Sequence, residues 1–278
     1  MPELPEVENV RRSLTAAVDG ATIAAVRLGT FTGCIAAPEP DAFVARVTGR
    51  RITGFGRRGK YLLIALDSGD TIAVHLRMTG ELTVTSPDTP TGKHHHLTFV
   101  LDDGRELRFS DTRKFGRLTL LTPDEAAALD HSLGPEPLDD RFTAERFAAM
   151  LAARSRAVKP LLLDQTFLAG VGNIYADEAL FAARIHPLRP ANSLTLEEAA
   201  RLLDAIRVTL AAAIERGGTT LRDYRDGLGR PGNNQHYLHI YHLAEGDPCP
   251  RCGEPIARVV VAQRRTRFCP RCQPLPTL

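Results

Sequence analysis

Four cysteines near the end of the chain are spaced Cys249-x2-Cys252-x16-Cys269-x2-Cys272. Two close pairs on two knuckles suit a tetrahedral ion, and four sulfur donors make the ligand set of a zinc site. With every coordination position taken, such a zinc is structural and not catalytic. The span between the pairs, GEPIARVVVAQRRTRF, reads as an alternating strand, a polar turn and a returning strand, a β-hairpin zinc ribbon. A unit this short cannot bury a core unaided, so the metal supplies most of its folding energy. Arg264, Arg265 and Arg267 fall at the hairpin tip, where they either grip phosphate or form a solvated loop. The opposite end raises a second chemical question. MPELPEVENV places Pro2 directly behind Met1 and beside Glu3. If Met1 is removed, the chain begins with a secondary amine next to a carboxylate, a nucleophile with a proton carrier; the plain alternative is a frayed terminus.

These groups need elements to hold them. Pro5 suits the start of a helix, Glu6 and Glu8 suit its positive end, and Val7, Val10, Leu14 and Val18 recur at helical spacing. KYLLIAL, TIAVHL, LTFVL, ELRFS and RLTLL then read as short strands separated by DSGD and DDG turns, which predicts a β-sandwich or barrel. SLGPEPLDDRF reads as an interdomain linker. Beyond it the chain is helical. Thr143 opens one helix, and Thr195 with Glu198 forms a capping box before a long helix closed by Gly217 and Gly218. DQTFLAGVGN enters another helix at about Asn173 through a glycine-rich turn. The predicted fold is α+β and multidomain: a helix-plus-β-sandwich domain over 1–133, a helical domain over 139–225 and the zinc ribbon over 244–278.

The 278 residues carry a net charge of only +2, but the charge is clustered. Gly49 to Lys60 holds five basic residues and no acidic one, and Cys249 to Cys272 holds six arginines against one glutamate. Basic islands on a near-neutral chain point to defined polyanion contacts. No apolar run of about eighteen residues and no secretory leader is visible, so no membrane partner is expected and the cytoplasm is the default compartment. Cys34, the fifth cysteine, reads as a buried thiol without a role.

PELPEVENVRRSL, RRGKYL, HLRMTGEL, DTRKFGRL, LLLDQTFLAGVGNIYADEAL, GGTTLRDY and CPRC…QRRTRFCPRC occur here in one order. That order resembles the bacterial formamidopyrimidine-DNA glycosylase and endonuclease VIII family of base-excision repair enzymes, over nearly the whole chain. PELPEVE and HLRMTG resemble the formamidopyrimidine branch. The resemblance implies a glycosylase and AP lyase that acts on damaged double-stranded DNA as a monomer, needs no nucleotide cofactor and works near the nucleoid. It also implies helix-two-turn-helix architecture for the helical domain.

By the same resemblance Pro2 is the nucleophile. Its chemistry is sound, since an α-amine titrates at about 7.7–8.0 against about 10.4 for lysine, and so offers free base near neutrality. Glu3 is implied as general acid and base, and Glu6 as an acidic residue packed near the terminus. Lys60 is implied in proton transfer and phosphate contact, and Arg264 as the ribbon arginine that grips phosphate and assists the second elimination. Met78, Arg113 and Phe115 match the group that fills the void left by an extruded nucleotide; as an isolated sequence feature, Met78 and Phe115 would read as core. His94, Lys159 and Asn173 match contacts to the DNA backbone, with Arg154 and Arg156 beside them. One stretch departs from the pattern. Where the family loop resembles GKPGYFAQ, this chain has GRPGNNQHYLHIYH, with Asn233 and Asn234 in place of aromatics. The resemblance implies oxidised purines, 8-oxoguanine and formamidopyrimidines, as the preferred lesions, with strand cleavage by β,δ-elimination; the departure keeps oxidised pyrimidines as the alternative, beside a non-catalytic damaged-DNA-binding relative.

Overall fold

The computed structural model describes residues 2–275. Met1, whose removal the reading of Pro2 requires, lies outside them, as do positions 276–278 of the expected ribbon. The chain forms two compact units, one of residues up to 132 together with 216–233, the other of 133–215 together with 234 onward.

The first unit begins with α1 (Leu4–Val18), whose predicted stripe of Val7, Val10, Leu14 and Val18 is at most 1% exposed. There follow β1 (Ile23–Leu28), β2 (Ile35–Ala37), α2 (Pro40–Val47), β3 (Ile52–Arg58), β4 (Tyr61–Leu66), β5 (Thr71–His75), β6 (Gly80–Thr85), β7 (His95–Leu101), β8 (Glu106–Asp111), β9 (Arg117–Leu121) and α3 (Pro123–Ser132). The strands form a four-stranded sheet, β1-β7-β8-β6, and a five-stranded sheet, β2-β9-β5-β4-β3. Alternating apolar residues of both sheets, among them Leu62, Ile64, Phe99, Phe109 and Leu118, share one buried core with α1. Each such side chain contributes about 1.5–3 kcal/mol on burial. This is the expected sandwich.

Residues 216–233 complete this unit from far along the chain. The Asn233 N–H donates to Arg216 O at 3.0 Å and closes the neck of the excursion. Farther out, Gly227 N–H donates to Ser13 Oγ on α1 at 2.9 Å, and Val84 N–H of β6 donates to Gly227 O at 2.8 Å. A Cβ on Gly232 would stand 2.1 Å from Gly218 O, so the two limbs of the neck meet backbone to backbone.

The second unit holds α4 (Ala144–Ala152), α5 (Val158–Leu163), α6 (Asn173–Ala183) and α7 (Leu196–Glu215), then the antiparallel hairpin β10 (Ala257–Val261) and β11 (Arg264–Phe268). Thr143 Oγ1 caps α4, and the predicted box is formed by Thr195 and Glu198, each N–H donating to the other's side chain at 3.0–3.2 Å. The stretch that reads as a linker is instead held firmly. Arg207 of α7 donates to the carbonyls of Pro137, Asp139 and Phe142, and Phe142 is buried. Among the described residues no helix is long and apolar enough to cross a membrane.

Candidate active site and nucleic-acid interface

The amino end of the chain is built into the first unit. Pro2 and Glu3 are both buried, and Glu3 N–H donates to Glu6 Oε2 at 2.8 Å. Glu6 is 1% exposed, and its other oxygen accepts Thr219 N–H at 2.8 Å, while Tyr224 Oη donates to Glu6 O at 3.2 Å. One carboxylate therefore joins the start of the chain to the returning 216–233 segment. Lys60 follows the β3–β4 turn at Gly59 and is only 6% exposed, so its ammonium is largely withdrawn from solvent. Behind it, Arg57 donates to Gly59 O at 3.1 Å and to Glu8 Oε2 of α1 at 3.3 Å. Burial works against ionisation of Glu8, but Arg11, Arg12 and Arg57 outweigh it and hold the carboxyl below its ordinary range. α1 is thus tied to the turn that carries Lys60.

His75 ends β5, edge-on to Tyr61, and its Nδ1 accepts Arg77 N–H at 3.1 Å. Burial, then the charges of Arg77 and Lys60, push its pKa down to about 3. The folded chain consequently binds fewer protons than the unfolded chain between about pH 3 and 6.5, and this contribution to stability is lost as pH falls through that window. His75→Asn, whose amide oxygen can accept the same N–H without titrating, is expected to flatten the acid side of the stability curve. Melting temperatures of both proteins from pH 4 to 7 check this; parallel curves would refute it.

Met78, Arg113 and Phe115 come together. Arg113 Nη1 is 3.0 Å from Met78 Sδ and its guanidinium lies 4.9 Å from the Phe115 ring centre. Met78 is 39% and Phe115 48% exposed, so neither is the core residue that its type would suggest. The residues just before them, Arg77 and Lys114, take left-handed backbone at φ 55° and 60°. Asp111 organises the pair of turns, accepting the Thr79 hydroxyl at 2.5 Å and the N–H groups of Arg113 and Gly116 at 3.0 and 2.7 Å. Burial raises its pKa, but these donors outweigh it and keep Asp111 ionised below the usual range. His94 is half-buried and lines a cavity of about 240 Å³ with Glu81, Arg222, Asp223 and Arg225.

In the second unit Asn173 opens α6, and its Nδ2 donates to Arg265 O at 3.2 Å. Arg264 and Arg265 are exposed on the hairpin, beyond a tight turn in which Ala262 and Gln263 both have positive φ. Lys159 is placed unlike a backbone contact. It is fully buried, with Nζ 2.5 Å from Asp177 Oδ1 and 2.6 Å from Thr266 Oγ1. Arg154 and Arg156 are exposed and border an apolar hollow floored by Met150, Leu161 and Phe167. Glu178, which nothing in the sequence singles out, accepts the N–H groups of His239, Ile240 and Tyr241 at 2.8 Å each. Burial raises its pKa; the His239 ring and those three donors more than reverse this.

The four cysteine sulfurs lie within 4.8 Å of one another. The separations run from 3.4 Å (Cys252 to Cys272) to 4.0 Å (Cys249 to Cys272), close to the ~3.8 Å edge of a tetrahedron with Zn–S bonds of about 2.3 Å. Arg251 N–H and Cys272 N–H point at Cys249 Sγ and Cys269 Sγ at 3.4 and 3.3 Å, where they would stabilise the negative charge of metal-bound thiolates. The residues fit one structural zinc ion. Cys34 is buried, and burial lifts its pKa to about 11, so it is an inert thiol.

A helix-headed sandwich, a helical unit and a four-cysteine ribbon define a zinc-ribbon protein of the helix-two-turn-helix class. Residues 1–118 match the formamidopyrimidine-DNA glycosylase N-terminal domain, 133–225 the formamidopyrimidine-DNA glycosylase H2TH domain, and 246–275 the zinc finger found in FPG and IleRS. The chain belongs to the formamidopyrimidine-DNA glycosylase family. It is 53% identical over 273 residues to the formamidopyrimidine-DNA glycosylase of Roseiflexus sp., covering 98% of this chain and 100% of that one. Among solved structures it resembles a Lactococcus lactis FPG mutant in complex with Fapy-dG-containing DNA, with a TM-score of 0.91 and 37% identity, covering 98% of this chain and 100% of that one. It also resembles wild-type Lactococcus lactis Fpg in complex with DNA containing an oxidised pyrimidine, with a TM-score of 0.90, 37% identity and the same coverage.

Proposed function

We propose that this chain is a bifunctional DNA glycosylase and AP lyase that removes oxidised purines, 8-oxoguanine and formamidopyrimidines, from duplex DNA. It works as a cytoplasmic, nucleoid-associated monomer, divided into a catalytic domain over 1–133, a DNA-binding helical domain over 139–225 and the ribbon over 244–278. The observation that carries this reading is the burial of Pro2 and Glu3. Chain ends ordinarily fray, and here Glu6 holds the first turn by its backbone.

As a free secondary amine, the Pro2 nitrogen attacks C1′ of the damaged nucleotide, the base leaves with the electron pair of the glycosidic bond and takes up a proton, and the nitrogen passes its N–H proton to Glu3. Glu3 protonates O4′ as the C1′–O4′ bond opens, leaving a charged iminium on Pro2. The iminium draws electrons from C2′, so loss of a C2′ proton expels the 3′ phosphate. A second proton loss then expels the 5′ phosphate. Lys60 moves protons and neutralises phosphate at the first elimination, and Arg264 grips phosphate at the second. Met78, Arg113 and Phe115 fill the gap left by the extruded nucleotide, while His94, Arg154 and Asn173 meet the DNA backbone. Zinc, when bound, holds the ribbon and has no open position for chemistry.

A second reading, oxidised pyrimidines as the preferred lesion, is favoured by Asn233 and Asn234 in the loop and by the Lactococcus lactis relative solved with an oxidised pyrimidine in its DNA. Borohydride trapping separates the two. Duplexes carrying 8-oxoguanine, an oxidised pyrimidine or an abasic site are each incubated with enzyme and reductant, and any adduct is mapped. The expected result is an adduct on Pro2, formed fastest among the base lesions with 8-oxoguanine. Faster trapping on the oxidised pyrimidine reverses the preference. No adduct on any duplex, with Met1 shown to be absent, would leave a DNA-binding protein without catalysis.

A further inference from the structure

We propose that Asp177, Lys159 and Thr266 form a buried relay that sets the ribbon arginine Arg264, and that Lys159 serves phosphate recognition only through it. The proposal rests on the reading of Arg264 as the phosphate grip of the second elimination. Three consecutive residues of β11 are each held by the helical part of their unit. Arg265 O accepts from Asn173 Nδ2 at 3.2 Å, Thr266 Oγ1 accepts from Lys159 Nζ at 2.6 Å, and Arg267 N–H donates to Asp177 Oδ2 at 3.3 Å. Asn173 and Asp177 are four apart on α6 and so share one face, with Lys159 reaching in from α5. The Thr266 hydroxyl, having accepted from Lys159, faces Arg264 O at 3.4 Å as a donor. A line of polar contacts therefore runs from Asp177 through Lys159 and Thr266 to the backbone of Arg264.

Strand geometry makes this line informative. Side chains alternate along β11, so Arg264 leaves from the same face as Thr266, one strand repeat nearer the turn. Thr266 is fully buried while Arg264, on the same face nearer the turn, is exposed, so the buried pin and the exposed arginine share one rotational setting of the strand. A two-stranded hairpin has little stiffness of its own. The ion pair itself is a poor source of stability, because Lys159 and Asp177 are both 0% exposed in their side chains and must give up hydration. Apolar residues of similar size would hold the elements together about as well. What apolar residues lack is direction, and direction is what an arginine aimed at one phosphate requires.

Thr266→Val tests the relay without opening the ion pair, since it deletes only the hydroxyl; Thr266→Ser restores it. On an abasic duplex, the ratio of second-elimination to first-elimination product is expected to fall about tenfold in T266V and to return in T266S. Amide hydrogen exchange over 264–268 is expected to quicken in T266V alone, with zinc content unchanged in both. Asp177→Asn serves as the second variant and should move both readouts in the T266V direction. An unaltered product ratio and unaltered exchange in T266V and D177N would overturn the relay. Arg264→Ala with a normal product ratio would instead remove the elimination role of Arg264, and hydrogen exchange would then decide the relay by itself.

Discussion

Inserting one alanine between Met1 and Pro2 is expected to lower strand cleavage at an abasic site by about 10⁴-fold or more, with duplex affinity unchanged. The proline nitrogen would then be part of an amide, whose electron pair is delocalised into the carbonyl and cannot attack C1′. The added residue brings its own amine, but that amine stands one residue away from Glu3. There is no slack to recover it, because Glu3 N–H is bonded to Glu6, and α1 is packed along Val7, Val10, Leu14 and Val18. On the proposed reading, binding draws on other groups: Arg113, Met78 and Phe115 in the first unit, and Asn173 and the arginines in the second. Gel shift on a reduced abasic analogue, alongside cleavage of a true abasic duplex, separates the two quantities. Cleavage at the wild-type rate by the extended chain would remove Pro2 as nucleophile.

The second large effect belongs to the metal. Cys269→Ala is expected to reduce bound zinc from one per chain to none and to weaken duplex binding by at least about a hundredfold at physiological salt. Apparent zinc binding in short peptides is worth about 10–16 kcal/mol, far more than this hairpin can replace by packing. Its apolar support is small: Cys249, Ile256 and Cys269 cluster with Phe181 and Ile240. Gln273 accepts the backbone N–H of residue 269 at 3.0 Å and donates to Ile185 O at 2.9 Å; alanine keeps that N–H, so this strap loosens only as the knuckle unfolds without its metal. With the ribbon unfolded, its arginines no longer act as an ordered cluster, and the salt dependence of binding should become shallower. Zinc content by atomic absorption and a salt titration of affinity check both parts. Tight binding by a zinc-free variant would show that the ribbon contributes little to DNA contact.

Features that repeat locally were legible in the residues. The cysteine pairs state their ligand set within a few positions, and the stripe of α1 and the strands β4, β5 and β7 to β9 follow simple periods. Strands with glycine or an exposed face were not. β3 reads ITGFGRR, and β1 is only partly buried, so neither shows a clear alternation. α5 is six residues long with Pro160 inside it, too short and too interrupted for a helical period. The fate of Lys159 was also hidden. Its partners lie 18 and 107 residues away, and no spacing rule marks a lysine that will meet an aspartate inside a unit rather than a phosphate outside it. Asp111, His75 and Glu178 act through backbone N–H groups, which every residue but proline carries and no sequence advertises.

The discontinuity of the first unit reaches back to the order in which the chain is made. Glu6 is among the first residues synthesised, yet the Thr219 N–H that it accepts arrives only after the whole helical stretch has left the ribosome. Ser13 waits in the same way for Gly227. Until then the nascent sandwich has its strands but not the segment that fastens the first turn of α1. A polypeptide released early, anywhere before residue 216, would carry every atom of Pro2 and Glu3 without the loop that holds their helix in register. On the proposed reading of Pro2, a chain cut short there is expected to form its strands yet fail to cleave an abasic duplex.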